Sequence, residues 1–351
     1  MTEGIRIETV LKHVVDISCH RDQSLLDISL LTAIQNLTGT KWVRMLEITL
    51  TQKDMLVHAR AWVENDRVII LNEYSPTKQI QRPLSHFAIL AAAIEQGLPT
   101  VKDSAPDGMQ TLWIPIWNNK TAVACLEFAQ AAPITKQIVC VLEGLLQVYR
   151  NFQNILDYSE RDTLTGLLNR KTFDSNLSKV LSFRDVDTPS KTPSERRHAD
   201  VPKQHWLAVI DIDHFKRIND KFGHLYGDEV LILIANLMLS SFRTVDRIFR
   251  FGGEEFVVLL RSTTLEEAHM VAERFRVAVE THTFPQVGSV TVSIGFAGIH
   301  ASDSPVDILG HADQALYYAK NNGRNLVVHY EALLESGVLQ KEVAANSVEF
   351  F

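Results

Sequence analysis

The sequence predicts a protein of mixed α+β and α/β class, built as two domains joined by a helix. Three observations predict it. The chain has 351 residues, and an average domain takes about 150. Runs of helical period alternate with short strand-like runs in both halves of the chain. Between the halves, apolar residues recur at Ile138, Leu142, Leu145, Tyr149, Phe152 and Leu156, in steps of four and three that line one helical face.

Composition narrows the function classes. Apolar residues make up 46% and charged residues 22% of the chain, against 16 Gly and 11 Pro, which excludes wholesale disorder, a collagen repeat and a disulfide scaffold. Lys plus Arg number 35 and Asp plus Glu 42, a formal charge of -7, so no broad field favours a nucleic acid polymer. Any phosphate ligand has to be held locally. Cys19, Cys125 and Cys140 are too few and too scattered for a disulfide framework or a structural zinc site. The opening residues carry acids where a signal peptide needs a basic segment and an apolar run. The densest apolar stretch, Phe87 to Ile94, is under half of the roughly 20 residues a spanning helix requires. The expectation is a cytoplasmic protein with no membrane partner.

Taken in order, Leu25 to Leu37 reads as a helix, followed by strands at Trp42 to Leu50, Val57 to Val63 and Val68 to Leu71. A second helix, Leu84 to Gln96, stops at Gly97 and Pro99, and strands Leu112 to Trp117 and Thr121 to Phe128 flank Asn118-Asn119-Lys120. Residues 1–135 thus form one α+β domain. Residues 136–160 form a coiled-coil-like connector, with Val141, Val148 and Ile155 widening its seam. That face either meets a second copy or packs on its own domain. Residues 161–330 form the second domain, opening with a helix from Arg170 to Leu181. The stretch 185–204 holds three prolines and almost no apolar residue, and is expected to be a mobile insertion. A strand from Trp206 to about Ile212, a helix from about Asp228 to Ser240, and a hairpin around Gly252-Gly253 come next. Thr264 and Glu267 make a capping box for a helix to Glu280. A strand at Ser289 to Ala297 precedes a helix with Ser304 as N-cap, Pro305 in its first turn, and Gly323 at its close. Two strand-helix-strand halves around one sheet predict a ferredoxin-like core. Residues 331–351 are left as a tail.

Four segments carry candidate chemistry. In Val209-Ile-Asp-Ile-Asp-His-Phe-Lys216 an apolar strand runs into Asp211 and Asp213, which share a strand face. They could hold a hard cation through carboxylate oxygens, or Asp213 could cap the next helix and Asp211 be a solvated strand end. In Arg250-Phe-Gly-Gly-Glu-Glu-Phe256 paired glycines permit a tight turn, and adjacent glutamates repel unless a cation or donor is near. Asn219 and Asp228 bracket two glycines; they suit the edge of guanine or serve as helix caps. Lys320 and Arg324 in Ala319-Lys-Asn-Asn-Gly-Arg-Asn325 complement a helix end or clamp terminal phosphates.

Together these segments resemble the GGDEF-domain diguanylate cyclases. The likeness begins at Asp162-Thr-Leu-Thr-Gly-Leu-Leu-Asn-Arg170, continues through 211–228, the GGEEF signature at 252–256, and Ser293-Ile-Gly295, and ends with Ala312 to Asn325. Five ordered motifs are far more specific than one glycine pair. The resemblance implies a nucleotidyl cyclase, palm-like form of the ferredoxin-like core. It implies that Asp211 and Glu254, with the Ile212 carbonyl, hold two Mg²⁺ per active site, Mn²⁺ being an alternative. Asn219 and Asp228 would read guanine, His224 would line the nucleotide site, and Lys216 with amides around Phe215 would stabilise phosphate charge. Lys320 and Arg324 would grip the outer phosphates. Glu254 would accept the proton, Glu255 would support it, and Asp213 would order the loop. Arg243-Thr-Val-Asp246 lies where the family carries its RxxD inhibitory product site; a surface ion pair is the plainer alternative. Residues 112–117 and 121–128, with the helix order, resemble a GAF sensory domain, which would answer to a small-molecule or protein signal.

The implied activity is condensation of two GTP into the second messenger cyclic di-GMP plus two pyrophosphates, in a homodimer whose sites face each other. The alternative is a catalytically silent receptor for GTP or cyclic di-GMP.

Overall fold

The computed structural model describes residues 6–20, 22–50, 54–71, 81–105, 108–118, 120–182, 203–243, 245–300 and 302–339. The chain divides into two compact units, Met1–Ser159 and Glu160–Phe351.

Unit 1 begins with α1 (Ile7–Ser18) and α2 (Gln23–Thr38), followed by β1 (Trp42–Leu50), β2 (Met55–Glu64), β3 (Arg67–Ile70) and the short β4 (Arg82–Pro83). A 3₁₀ turn at Leu84–His86 leads to α3 (Ala88–Glu95), β5 (Val101–Ser104), β6 (Gln110–Asn118), β7 (Thr121–Gln130) and α4 (Lys136–Glu160). The sheet order is β3-β2-β1-β7-β6-β5, with β4 paired to β2. Asp22 caps α2 by accepting from the amides of Ser24 and Leu25, and Gly39 at φ +68° ends it. The expected helix at 84–96 is split, because Phe87 leaves helical geometry between the 3₁₀ turn and α3. Helix α1 and strand β5 were not anticipated.

The seam at 136–160 is indeed helical, and its face is used within unit 1. Leu142, Leu145, Tyr149 and Leu156 are buried in the cluster that also holds Ile17, Leu30, Met45 and Phe128. At its far end Ile155 and Tyr158 are exposed.

Unit 2 runs β8 (Leu168–Asn169), α5 (Arg170–Ser182), β9 (Gln204–Ile212), α6 (Phe215–Phe222), α7 (His224–Ser241), β10 (Arg247–Gly252), β11 (Glu255–Thr263), α8 (Leu265–Thr281), β12 (Val292–Gly298), α9 (Pro305–Asn321), β13 (Val327–His329) and α10 (Tyr330–Glu335). Its sheet order is β13-β12-β9-β11-β10-β8. The four inner strands, ranked by position in the chain, lie in the order fourth, first, third, second, which is the β-α-β-β-α-β ferredoxin-like arrangement. β9 is the central strand and is buried on both faces, which is why it reads as a continuous apolar run. Gly295 lies where a β-carbon would collide with the backbone of Ala312, Ala315 and Leu316, so its lack of a side chain lets α9 pack directly on β12. Both capping boxes, Thr264 with Glu267 and Ser304 with Asp307, are present.

Several boundaries move. α7 starts at His224, four residues before Asp228; α6 ends at Phe222, and Gly223, with φ +90°, turns the chain between them. The strand expected at Ser289–Ala297 is β12, Val292–Gly298. The tail expected at 331–351 begins inside the folded unit, since Leu333 is buried and Glu331 accepts from the Gly298 amide; residues 340–351 lie outside the described residues. The insertion expected at 185–204 also lies outside them as far as residue 202, while Gln204 already belongs to β9. No helix among the described residues is long and apolar enough to cross a membrane.

Candidate active site

The site forms where the central strand ends. Asp211 lies near the end of β9, in register with Glu255 on β11 and Ser293 on β12. The Ile212 amide donates to the Glu254 carbonyl at 3.4 Å, so the residue after the paired glycines is tied to the strand end. Asp211, Ile212, Glu254 and Glu255 are thereby gathered across some forty residues of sequence. Lys320, in the last turn of α9, reaches the same place, its Nζ 2.9 Å from Asp211 Oδ2.

Burial is the main force raising the pKa of Asp211, and the neighbouring Asp213 adds to it; Lys320 and Arg324 pull the other way without cancelling the rise. Glu254 is held above its ordinary range by burial and then by the charges of Asp211 and Glu255. Glu255 is raised by burial, Asp211 and Asp313, against Lys320 and Arg170. Three carboxylates therefore repel one another around one close ammonium.

Asp213 has a different task. Its Oδ1 accepts from Ser293 at 2.7 Å, its Oδ2 from Thr291 at 2.7 Å and from the Asn325 amide at 3.0 Å. With these bonds its carboxylate ties the strand end to β12 and to the turn after α9, which agrees with its expected role in ordering the loop.

The glycine turn is held from outside. Arg250 donates to the Gly253 carbonyl from Nε at 3.2 Å and Nη2 at 3.0 Å, and to Asp162 from Nη1 at 3.0 Å. Asp162 also accepts from the amide and hydroxyl of Thr165. Gly253 has φ +50°, a left-handed conformation that glycine adopts readily. The guanidinium of Arg170 lies 4.6 Å from the ring centre of Phe251. The opening motif and the signature thus form one brace, with Asp162, Arg170 and Arg250 as supporting residues to which the sequence reading gave no role. Their signal was present in the motifs quoted, but their partner was not visible.

Asn219 and Asp228, the pair expected to meet guanine, sit on two successive helices. Asn219 is on α6 and its side chain lies directly over Gly227, where a β-carbon would meet it and the Phe215 ring. Asp228 follows on α7, just past its first turn. His224 opens α7 and, like Lys216 on α6, is exposed. Phe215 is buried, fixing the start of α6 after His214 at φ +59°. Arg324 lies on the turn beyond α9 and is exposed.

The RxxD pair stands apart, at the other end of β10 from the glycine turn. Asp246 is buried, and its two oxygens accept from the backbone amides of Arg243 at 3.0 Å and Arg261 at 3.2 Å. Burial raises its pKa above the ordinary value in spite of those bonds. Arg243 is exposed. The aspartate closes a turn through backbone amides, which the surface-ion-pair alternative did not foresee.

Comparison with known proteins finds likenesses over the second unit. The family model described as "Diguanylate cyclase, GGDEF domain" matches residues 159–326. Diguanylate cyclase DgcM of Escherichia coli (strain K12) is 36% identical over 193 residues, 55% of this chain and 44% of that protein. Diguanylate cyclase DgcP of Pseudomonas aeruginosa is 43% identical over 167 residues, 47% of this chain and 23% of that protein. The chain therefore spans less than half the length of either relative. Among solved structures, the coiled coil and GGDEF domain of DgcB from Caulobacter crescentus in complex with c-di-GMP is 27% identical with a TM-score of 0.47, covering 55% of this chain and 97% of that one. With its motifs gathered at one strand end and matched as one block, the segment 159–326 is a GGDEF domain of the diguanylate cyclase family.

Proposed function

We propose that the protein is a diguanylate cyclase that condenses two GTP into cyclic di-GMP with release of two pyrophosphates. The observation that carries this reading is the meeting of Asp211, Glu254 and Glu255 beside Lys320, at the end of the central strand. Each transfer forms a bond from a 3′-oxygen to an α-phosphorus and breaks the α-to-β phosphoanhydride, and a second transfer in the opposite sense closes the ring. The 3′-hydroxyl proton goes to Glu254, whose raised pKa brings it nearer to working pH than an ordinary glutamate. Lys320 and Arg324 hold the departing phosphates. Lys216 and the first amides of α6 stabilise charge on the transferring group. Asn219 and Asp228 read guanine, with His224 against the nucleotide.

Among the described residues no group of three or more His, Cys, Asp or Glu forms a metal cage. Two carboxylates and the Ile212 carbonyl nevertheless suit Mg²⁺, which binds through one or two carboxylates plus substrate phosphates and keeps several waters. Their mutual repulsion also favours a cation. Asp211, Glu254 and Ile212 would hold two Mg²⁺ ions, or Mn²⁺. When bound, such ions supply charge neutralisation and activation of the attacking oxygen.

Each domain has one nucleotide site, so the working species is a homodimer with two sites facing. Aligning both substrates accounts for roughly 7–11 kcal/mol of the barrier. Arg243 and Asp246 form the inhibitory product site. Unit 1, GAF-like, conveys a small-molecule or protein signal through α4, which leads from its core to the first residue of unit 2.

The test is incubation of purified protein with GTP and Mg²⁺ and chromatographic resolution of the nucleotides. Cyclic di-GMP is expected. Asp211→Ala and Glu254→Ala are each expected to lower the rate by about a hundredfold or more, the scale for losing a charge-stabilising group. Substantial turnover in both variants refutes the site. Activity per chain should fall on dilution, and Arg243→Ala should relieve inhibition by added cyclic di-GMP. An unchanged inhibition curve removes the product-site claim.

A further inference from the structure

The turn that carries Arg324 is an uncommon one. Gly323, Arg324 and Asn325 are three consecutive residues with positive φ, at +113°, +61° and +47°. Non-glycine residues keep that conformation only where the surroundings enforce it. Part of the enforcement is local: the Arg324 amide donates to Ala319 at 3.0 Å, and the Asn325 amide donates to Asp213 at 3.0 Å.

The rest comes from a helix that contributes nothing else to the site. Asn325 Oδ1 accepts from Arg276 Nη1 at 2.7 Å, and Asn325 Nδ2 donates to Glu280 Oε1 at 2.8 Å. Arg276 and Glu280 lie one turn apart on α8 and bond each other at 2.8 Å. Arg276 is anchored further by Glu273, at 2.9 Å from Nε and 2.6 Å from Nη2. The pair therefore offers a donor and an acceptor side by side. Such a pair accepts a carboxamide in one orientation only, and the bonds are charge-assisted.

We infer that Arg276 and Glu280, acting through the Asn325 side chain, are positioning residues that fix where Arg324 meets the outer phosphates of the nucleotide. The inference rests on the GTP reading above. Releasing the carboxamide frees the turn to rotate, and a displacement of about 1 Å at a phosphate-binding group can cost on the order of a hundredfold in rate. Neither residue is among those assigned to the nucleotide, so the effect should pass through Arg324.

Calorimetric titration of the full chain with guanosine 5′-(α,β-methylene)triphosphate in Mg²⁺ tests this, since that analogue is not cleaved at the bond in question. Glu280→Gln keeps the size of an exposed side chain, and Arg276→Ala removes the cation; melting curves verify that both fold. Each is expected to weaken the analogue by about tenfold, within the range of coupled neighbours. In an Arg324→Ala background the loss from Arg276→Ala should vanish, whereas in an Asn219→Ala background, at the guanine end, it should persist in full. Wild-type affinity in both folded variants, or equal losses in the two backgrounds, overturns the inference and leaves the GTP reading intact. A wild-type protein that does not bind the analogue overturns the GTP reading itself.

Discussion

Asp27 in unit 1 and Asp211 in unit 2 are 1% and 4% exposed, yet their surroundings are opposites. Asp27 accepts from Arg60 Nε at 2.8 Å and Nη2 at 3.1 Å, from the Tyr149 hydroxyl at 2.6 Å, and from Gln23 at 3.0 Å. Arg60 and Gln23 also reach the Tyr149 oxygen, each at 2.7 Å. Burial opposes the Arg60 charge, but Tyr149 and Asp27 outweigh it and raise its pKa. Burial likewise pushes the Tyr149 hydroxyl up, so it keeps its proton. The network ties α2, β2 and α4 together with its charges compensated. Asp211 instead shares one ammonium with two glutamates that repel it. A buried charge with every bond made belongs to the fold. A cluster left short of positive charge marks where the fold gives up stability for binding.

The largest expected effect breaks the comparison at its centre. Arg60→Leu leaves Asp27 buried without its cation, and removing one partner of a buried pair typically costs about 3–5 kcal/mol. Asp211→Asn removes a carboxylate whose charged form the folded state already disfavours, so unit 2 should melt at the same temperature or higher while turnover is lost. Hydrogen exchange resolved by segment would measure both. Equal destabilisation of the two units would mean that the Asp211 cluster is structural as well.

A middle-sized effect tests the brace behind the glycine turn. Arg250→Ala releases the Gly253 carbonyl and Asp162 together. Turnover should fall by about tenfold, a modest loss for a group acting at second hand, while stability falls by about 1–2 kcal/mol for the hydrogen bonds lost. Initial rates and denaturant titration on one preparation separate the two. If rate and stability both stay at wild-type levels, the brace has no hold on the site.

Much of unit 2 was readable because its chemistry is local in sequence. The strand running into Asp211 and Asp213, the paired glycines, and both capping boxes are each written within a few residues. What could not be read were partnerships over long separations. The bonds of Asp213 to Thr291, Ser293 and Asn325, and of Arg250 to Asp162, span some 80 to 110 residues, and nothing in the sequence fixes which donor meets which acceptor. The start of α7 was read four residues late because Gly223 and Gly227 look like loop residues, although Gly227 is helical and its missing side chain makes room for Asn219. In α4 the spacing of apolar residues specified a buried face without saying what covers it, and the cover is unit 1's own sheet and helices. Unit 1 holds no comparable motif, so its network around Asp27 was invisible until folded.

Glu331 gives the comparison its finest test, because it is a carboxylate held below its ordinary range inside the same unit as the Asp211 cluster, whose acids are held above theirs. Its Oε1 accepts from the Gly298 amide at 2.8 Å, and its Oε2 lies 2.6 Å from His329 Nε2. Burial opposes ionisation, but His329 and the Gly298 amide outweigh it and hold the carboxyl below the ordinary glutamate value of 4.5. Because the folded pKa is depressed, the stabilisation is fully present above that value and is lost as pH falls through the folded pKa. Glu331→Gln should therefore cost about 1 kcal/mol at neutral pH. Its deficit against wild type should stay level down to about pH 5 and shrink at lower pH. A carboxylate held above its range gives the reverse slope, with stability falling as pH rises, so a deficit that grew on acidification would place Glu331 with the Asp211 cluster.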